Sequence, residues 1–238
     1  MTFTIDPELG MFADKKVLWE FERTRAHAVA HHPILPSDRL SWSMSWLHLV
    51  LWHGLKSIFV HSNKVDKDGY AGYREYALLA FQFLVDHHDA EENFLYPRME
   101  KLMPGSMTAN DEQHHAILAP VGTIIQYFQD RPNFEDFKSD EIRHHLNGLV
   151  YPLMKHLADE LLTITGPILR PVASEEECAD ISRVTDLEPP KSDASKLLPF
   201  LLQSLPPNTP FPPNVTEDPD YEKYSHMWGY TAFPHKAY

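Results

Sequence analysis

At 238 residues, with 43% hydrophobic, 12% aromatic and 23% charged side chains, the chain has a globular composition. A folded chain of this length buries roughly 70–75% of its unfolded surface, so it needs no staples. The single cysteine, Cys178, excludes an internal disulfide framework and fits a reducing compartment. A formal net charge of -13, from 34 acidic against 21 basic residues, repels phosphate backbones, so nucleic acid is excluded as the expected partner. The opening MTFTIDPELGMFADKKVLWEFER has no secretory pattern, the ending HKAY no peroxisomal address, and no apolar run reaches the roughly 20 residues that span a bilayer. A cytoplasmic protein without a membrane partner is expected.

Proline divides the chain, since 12 of the 20 lie at or beyond Pro167. Long helices are therefore expected before it. Residues 1–37 form an arm with a helix around Val17 to Ala30, closed by Pro33 and Pro36. Ser37 or Asp38 caps a first long helix through DRLSWSMSWLHLVLWHGLKSIFVHS. A second runs from about Tyr70 to Leu102, before Pro104-Gly105. A third runs from near Thr108 or Asn110 to Asp130, before Arg131-Pro132. A fourth covers roughly Ser139 to Thr165, with Gly166-Pro167 as its stop. Pro97, Pro120 and Pro152 fall inside three of these helices and are expected to kink them. The division is thus an arm over 1–37, an all-α bundle over 38–166, and a proline- and aromatic-rich extension over 167–238. An acidic stretch, SEEECADISRVTDLE, reads as a loop carrying Cys178, and its charges raise rather than lower the thiol pKa. The extension reads as an irregular strap over the bundle, because Trp228, Tyr230 and Phe233 are rings that normally bury.

Two strings stand out: His87-x-x-x-Glu91 in HHDAEENFLYP and His156-x-x-x-Glu160 in HLADELL. Residues four apart share a helix face, so each string presents imidazole beside carboxylate. In the second helix Ala80, Leu84, His87, Glu91 and Phe94 form one apolar stripe, while Phe81, Val85, His88, Glu92 and Leu95 form another almost as good; periodicity leaves both open. In the fourth, Leu149, Pro152 or Leu153, His156 and Glu160 share a stripe without a rival. On the third, His114 is in phase with Ile117, Val121, Ile124 and Phe128, whereas His115 keeps poorer company. On the first, His48 follows Met44, Leu51, Leu55 and Ile58, and its rival His53 falls on a more polar face. Six groups result: His48, His87, Glu91, His114, His156 and Glu160. Imidazole and carboxylate together suit iron, manganese or zinc, and carboxylates commonly bridge two such ions. Four neutral imidazoles with two anionic carboxylates also offset much of the charge of two divalent cations in a bundle interior.

These residues resemble the hemerythrin-like, cation-binding four-helix family. HHDAEENFLYP resembles its second-helix signature, a register that selects His87 and Glu91 over His88 and Glu92. HLADELLTI resembles the fourth-helix motif, EQHHAI the third, and MSWLHLVLWHGLKSIFVHSNKV the first helix of fungal members; the match covers about residues 40–165. The resemblance implies an up-down four-helix bundle around a non-heme di-iron centre. Glu91 and Glu160 are then the bridging and catalytic carboxylates, with His48 and His87 toward one iron and His114 and His156 toward the other. Oxygen-carrying members have a further histidine one turn after the third-helix ligand, where this chain has Leu118. That departure implies an open coordination position, which admits water, substrate or oxygen. The expected function is an oxidoreductase that activates O2 to oxidise a small organic substrate. The alternative is a non-catalytic carrier or sensor of O2, NO or iron.

Overall fold

The computed structural model describes residues 7–29, 33–187 and 194–204, and every regular element among them is helical. None of these helices is long and apolar enough to cross a membrane. Helix α1 (Lys15–His27) begins where the Asp14 carboxylate accepts from Lys16 N–H, a side-chain cap of the usual kind. Helix α2 (Pro36–His61) has Pro36 in its first turn, where the missing N–H is no loss. Neither Ser37 nor Asp38 caps it. The cap comes from far along the chain: Ser37 N–H and Oγ–H donate to the two carboxylate oxygens of Glu175, each at 2.8 Å. Arg170 holds Asp38 alongside.

The segment expected as one helix from Tyr70 to Leu102 is three pieces in line: α3 (Tyr70–Ala90), a π-helical stretch (Glu91–Leu95) and α4 (Tyr96–Leu102). Pro97 has no N–H to donate, and its ring crowds the carbonyl four residues earlier, so the backbone widens just before it. Tyr96 N–H consequently reaches back five residues, to the Glu91 carbonyl. Helices α5 (Thr108–Gln129) and α6 (Ser139–Thr163) follow the expected bounds closely, with Pro120 and Pro152 on exposed faces. Leu153, not Pro152, therefore continues the inward stripe of α6.

Helix α2 packs on α3 and α6, and α5 packs on the same two helices, so the four enclose a shared interior. Phe81, Leu84, Ile124 and Leu153 are fully buried there. Each such side chain contributes roughly 1.5–3 kcal/mol over an exposed one. Helix α1 lies across α2 and α6, where Arg23 bridges Glu20 to Asp159.

A short helix, α7 (Gly166–Leu169), leads to α8 (Glu175–Leu187), which packs on α2. The acidic stretch is thus helix rather than loop. Ser174 and Glu177 exchange hydrogen bonds as a capping box, and the glutamates of the first turn suit the positive helix end. Cys178 is buried on α8, and that burial, with Glu175 and Glu177, pushes its thiol pKa up. Helix α9 (Ala194–Ser204) packs on α2 and α3. Where an irregular strap was expected, the described part of the extension is helical. The tail rings Trp228, Tyr230 and Phe233 lie outside the described residues.

Candidate metal centre

The four enclosing helices bring seven ligand-type side chains to one place. His48 comes from α2, His87 and His88 from the end of α3, Glu91 from the start of the π-helical stretch, His114 from α5, and His156 and Glu160 from α6. All are inaccessible to solvent except His87, which is 7% exposed. They form two groups, each with potential ligand atoms within 4.8 Å of one another: His88, Glu91, His114 and His156, and His48, His87, Glu91 and Glu160. Glu91 belongs to both. Its Oε1 lies 3.1 Å from His87 Nε2 and its Oε2 lies 3.4 Å from His114 Nε2. Glu160 Oε2 lies 3.4 Å from His48 Nε2 and 4.0 Å from His156 Nε2.

The six residues expected from the sequence are therefore brought together, and His88 joins them. The choice of His87 over His88 does not hold as an exclusion, because this part of α3 is buried over both competing stripes. Adjacent residues point about 100° apart on a helix, and here one ring enters each group. His88 stands with His114 and His156, so that group has a further candidate donor although Leu118 supplies none. Leu118 itself is half-buried, and His115 is exposed.

Hydrogen bonds outside the groups fix which nitrogens face inward. Glu92 accepts from His114 Nδ1–H at 2.9 Å, and Gln113 Oε1 accepts from His156 Nδ1–H at 3.0 Å. Each bond leaves Nε2 as a lone pair directed inward, as metal-ligating histidines are held. Glu92, set aside as part of the rival stripe, thus orients a ligand. Tyr96 is a further participant: its Oη lies 2.9 Å from His114 Nε2 and donates to Glu160 Oε1 at 2.9 Å. It falls four residues after Glu92, in step with the stripe that the resemblance set aside, with the π-helical stretch just before it.

Burial drives the protonation states. It holds the His87 and His88 imidazoles well below their ordinary pKa, helped by neighbouring imidazoles, and holds His156 at about 4. These rings are neutral at pH 7, the form that binds metals. Burial, reinforced by Glu160, pushes the Glu91 carboxyl well above its usual range. Burial also opposes ionisation of Glu160, but the facing His48, His156 and His87 imidazoles hold its pKa down. With two carboxylates side by side, one keeps a proton unless cations intervene.

The fit to metal rests on atoms without partners. Both nitrogens of His48 and His88, Nε2 of His87, both oxygens of Glu91 and Oε2 of Glu160 are buried without a hydrogen bond. A buried polar group left so costs about 1–3 kcal/mol, and natural interiors rarely leave several together. These buried His/Glu groups can hold metal ions, and their nitrogen and oxygen donors suit iron, manganese or zinc.

One edge of the site approaches the surface at His87. The Phe83 ring stacks on His87 with centroids 6.2 Å apart, and Phe200 of α9 meets Phe83 at 5.8 Å. Gly54 lets α9 come this close, since a Cβ there would lie 3.1 Å from the Phe200 ring. No family model matches the chain, and comparison with curated proteins and with solved structures gives no match either.

Proposed function

We propose that the chain is a hemerythrin-like protein whose up-down four-helix bundle holds two iron ions bridged by Glu91 and Glu160, and that this centre activates O2 to oxidise a small organic substrate. The observation that carries the reading is the convergence of unpartnered buried donors from four helices on Glu91, which is common to both groups. His48 and His87 hold one ion; His88, His114 and His156 hold the other. Iron at such a site supplies electrons to O2 and oxidising power to a substrate. The chain's own residues do the rest. Glu92 and Gln113 keep His114 and His156 in the ligating tautomer. Phe83 and Phe200 cover the His87 edge with apolar rings and keep bulk water from it. The group of His48 and His87 has fewer imidazoles than its neighbour and lies at this edge, so it is the side open to O2 and substrate.

Iron-replete protein prepared without oxygen should contain about two irons per chain, as di-iron carboxylate bundles do. His87→Ala and Glu160→Ala should each bring the loading below two irons per chain. A preparation without stoichiometric metal overturns the reading. The reduced protein should then oxidise rapidly and irreversibly in O2. A spectral change reversed by removing O2 supports instead the second reading, a non-catalytic carrier or sensor of O2, NO or iron. That reading is favoured by His88, which fills the first group, and by burial of every ligand except His87.

A further inference from the structure

We infer that Tyr96 is itself a metal ligand, its phenolate oxygen completing the donor set on the ion held by His88, Glu91, His114 and His156. The inference rests on the metal-binding reading above and adds a residue type that neither histidine-glutamate string supplies. Its starting point is a conflict of hydrogen bonds. Tyr96 Oη is 2.9 Å from His114 Nε2 and 2.9 Å from Glu160 Oε1, but a phenol has one proton and can satisfy only one of them. The His114 Nδ1 proton is committed to Glu92, so Nε2 is an acceptor. It also faces His156 Nε2 at 3.0 Å, and that nitrogen is an acceptor too, because Gln113 takes the His156 Nδ1 proton. The lone pairs of His114 Nε2 and His156 Nε2 therefore face each other with no proton between them, and the oxygens of Tyr96 and Glu91 stand beside His114 Nε2. A cation reconciles all four.

The spacing agrees. Donors about 2.1 Å from one ion and at right angles to each other lie about 3 Å apart. The edge from His114 to Tyr96 is 2.9 Å, that from His114 to His156 is 3.0 Å, and that from His114 to Glu91 Oε2 is 3.4 Å. Tyr96 thus occupies a corner equivalent to that of His156. Its ring lies nearly parallel to that of His114, with centroids 5.1 Å apart, and it is only 5% exposed, so the oxygen is fixed rather than free to swing away. Charge argues the same way. Two divalent ions bring four positive charges against the two of Glu91 and Glu160, and a phenolate supplies a third negative charge where water cannot. On metal binding the Tyr96 O–H bond breaks, an oxygen–metal bond forms and one proton leaves to solvent, with no change of oxidation state.

Ferric phenolates absorb visible light by charge transfer from oxygen to iron. Full-length protein loaded with iron and oxidised in air should show such a band, with tyrosine ring modes in resonance Raman spectra excited within it. Tyr96→Phe should lose the band while keeping iron. Where the Phe variant holds no iron, Tyr96→His, which restores a donor without a phenol, should hold iron and still lack the band. Zinc uptake by the metal-free protein should release one proton fewer in Tyr96→Phe than in the wild type. Iron bound by the wild-type protein without a phenolate band, or a band that survives in Tyr96→Phe, overturns the assignment while leaving the metal centre in place. Absence of bound metal overturns both.

Discussion

Replacing Glu91 by Gln tests whether the centre of the bundle is built for cations or for structure. Glu91 is fully buried, neither carboxylate oxygen has a hydrogen bond, and Glu160 lies beside it. Such a group costs about 1–3 kcal/mol. An amide of the same size relieves that cost, because it is neutral without taking up the proton that burial and the adjacent Glu160 force on the Glu91 carboxyl. The metal-free Glu91→Gln protein should therefore be more stable than the metal-free wild type by about 1–3 kcal/mol. For a chain of this size each kcal/mol raises Tm by about 2–4 °C. Metal acts in the opposite sense: at a hundredfold excess over Kd a bound ion stabilises the wild type by about 2.7 kcal/mol, and the variant, lacking the shared carboxylate, should gain almost nothing. Thermal unfolding in chelator and in added iron, with metal analysis of the same samples, reads both effects. A variant that is less stable in chelator, or that keeps the metal-induced rise in Tm, refutes the reasoning, because Glu91 is then a structural hydrogen-bonding group.

His88→Ala should lower iron from about two to about one per chain, since it strips one group and spares the other, whereas exposed His115→Ala should change nothing; metal analysis decides, and equal loading of both variants removes His88 from the ligand set. Phe200→Ala should cost about 3 kcal/mol in urea unfolding and speed the reaction of reduced, iron-loaded protein with O2; an unchanged rate in stopped flow shows that α9 does not limit access at His87. Away from the metal groups, burial beside Phe21, with Lys56 nearby, holds the His53 imidazole at about 4 against an ordinary 6.5. The unfolded chain binds this proton at higher pH than the folded one, so the stability involved is whole above pH 6.5 and is lost as pH falls toward 4, amounting to about 3 kcal/mol. His53→Gln should flatten that part of the acid profile in urea titrations, and an unchanged slope contradicts it.

Helix phase found what depends on one face of a regular helix. His48, His114, His156 and Glu160 are all buried where their stripes place them, while His115 and Pro152 face solvent. Phase failed where the helix is buried on more than one face or stops being α-helical. At the end of α3 two adjacent stripes are buried, so a choice between His87 and His88 asked for a distinction that the fold does not make. Beyond Glu91 the π-helical turn shifts the register, and Tyr96, four residues after Glu92 and so in step with the stripe that the resemblance set aside, enters the site; Pro97 was the signal of the shift. Glu92 and Gln113 escaped because residues that orient a ligand need no stripe of their own. In the extension three successive glutamates suggested a loop, although Ser174 and Glu177 carry the capping-box spacing that marks a helix start.

The capping of α2 by Glu175 has a consequence for the order of assembly. Chains emerge from the ribosome N-terminus first, and domains fold as their parts become available. All the ligand residues are made by position 160, yet the first turn of the helix carrying His48 receives its acceptor only from residue 175, and the edge beside His87 receives Phe200 later still. A nascent chain therefore has its ligands before it has the clamps that finish their setting. Under the metal-binding proposal, metal acquired in that interval meets a looser bundle than metal offered to the finished protein, and the arrival of α8 and α9 closes the interval.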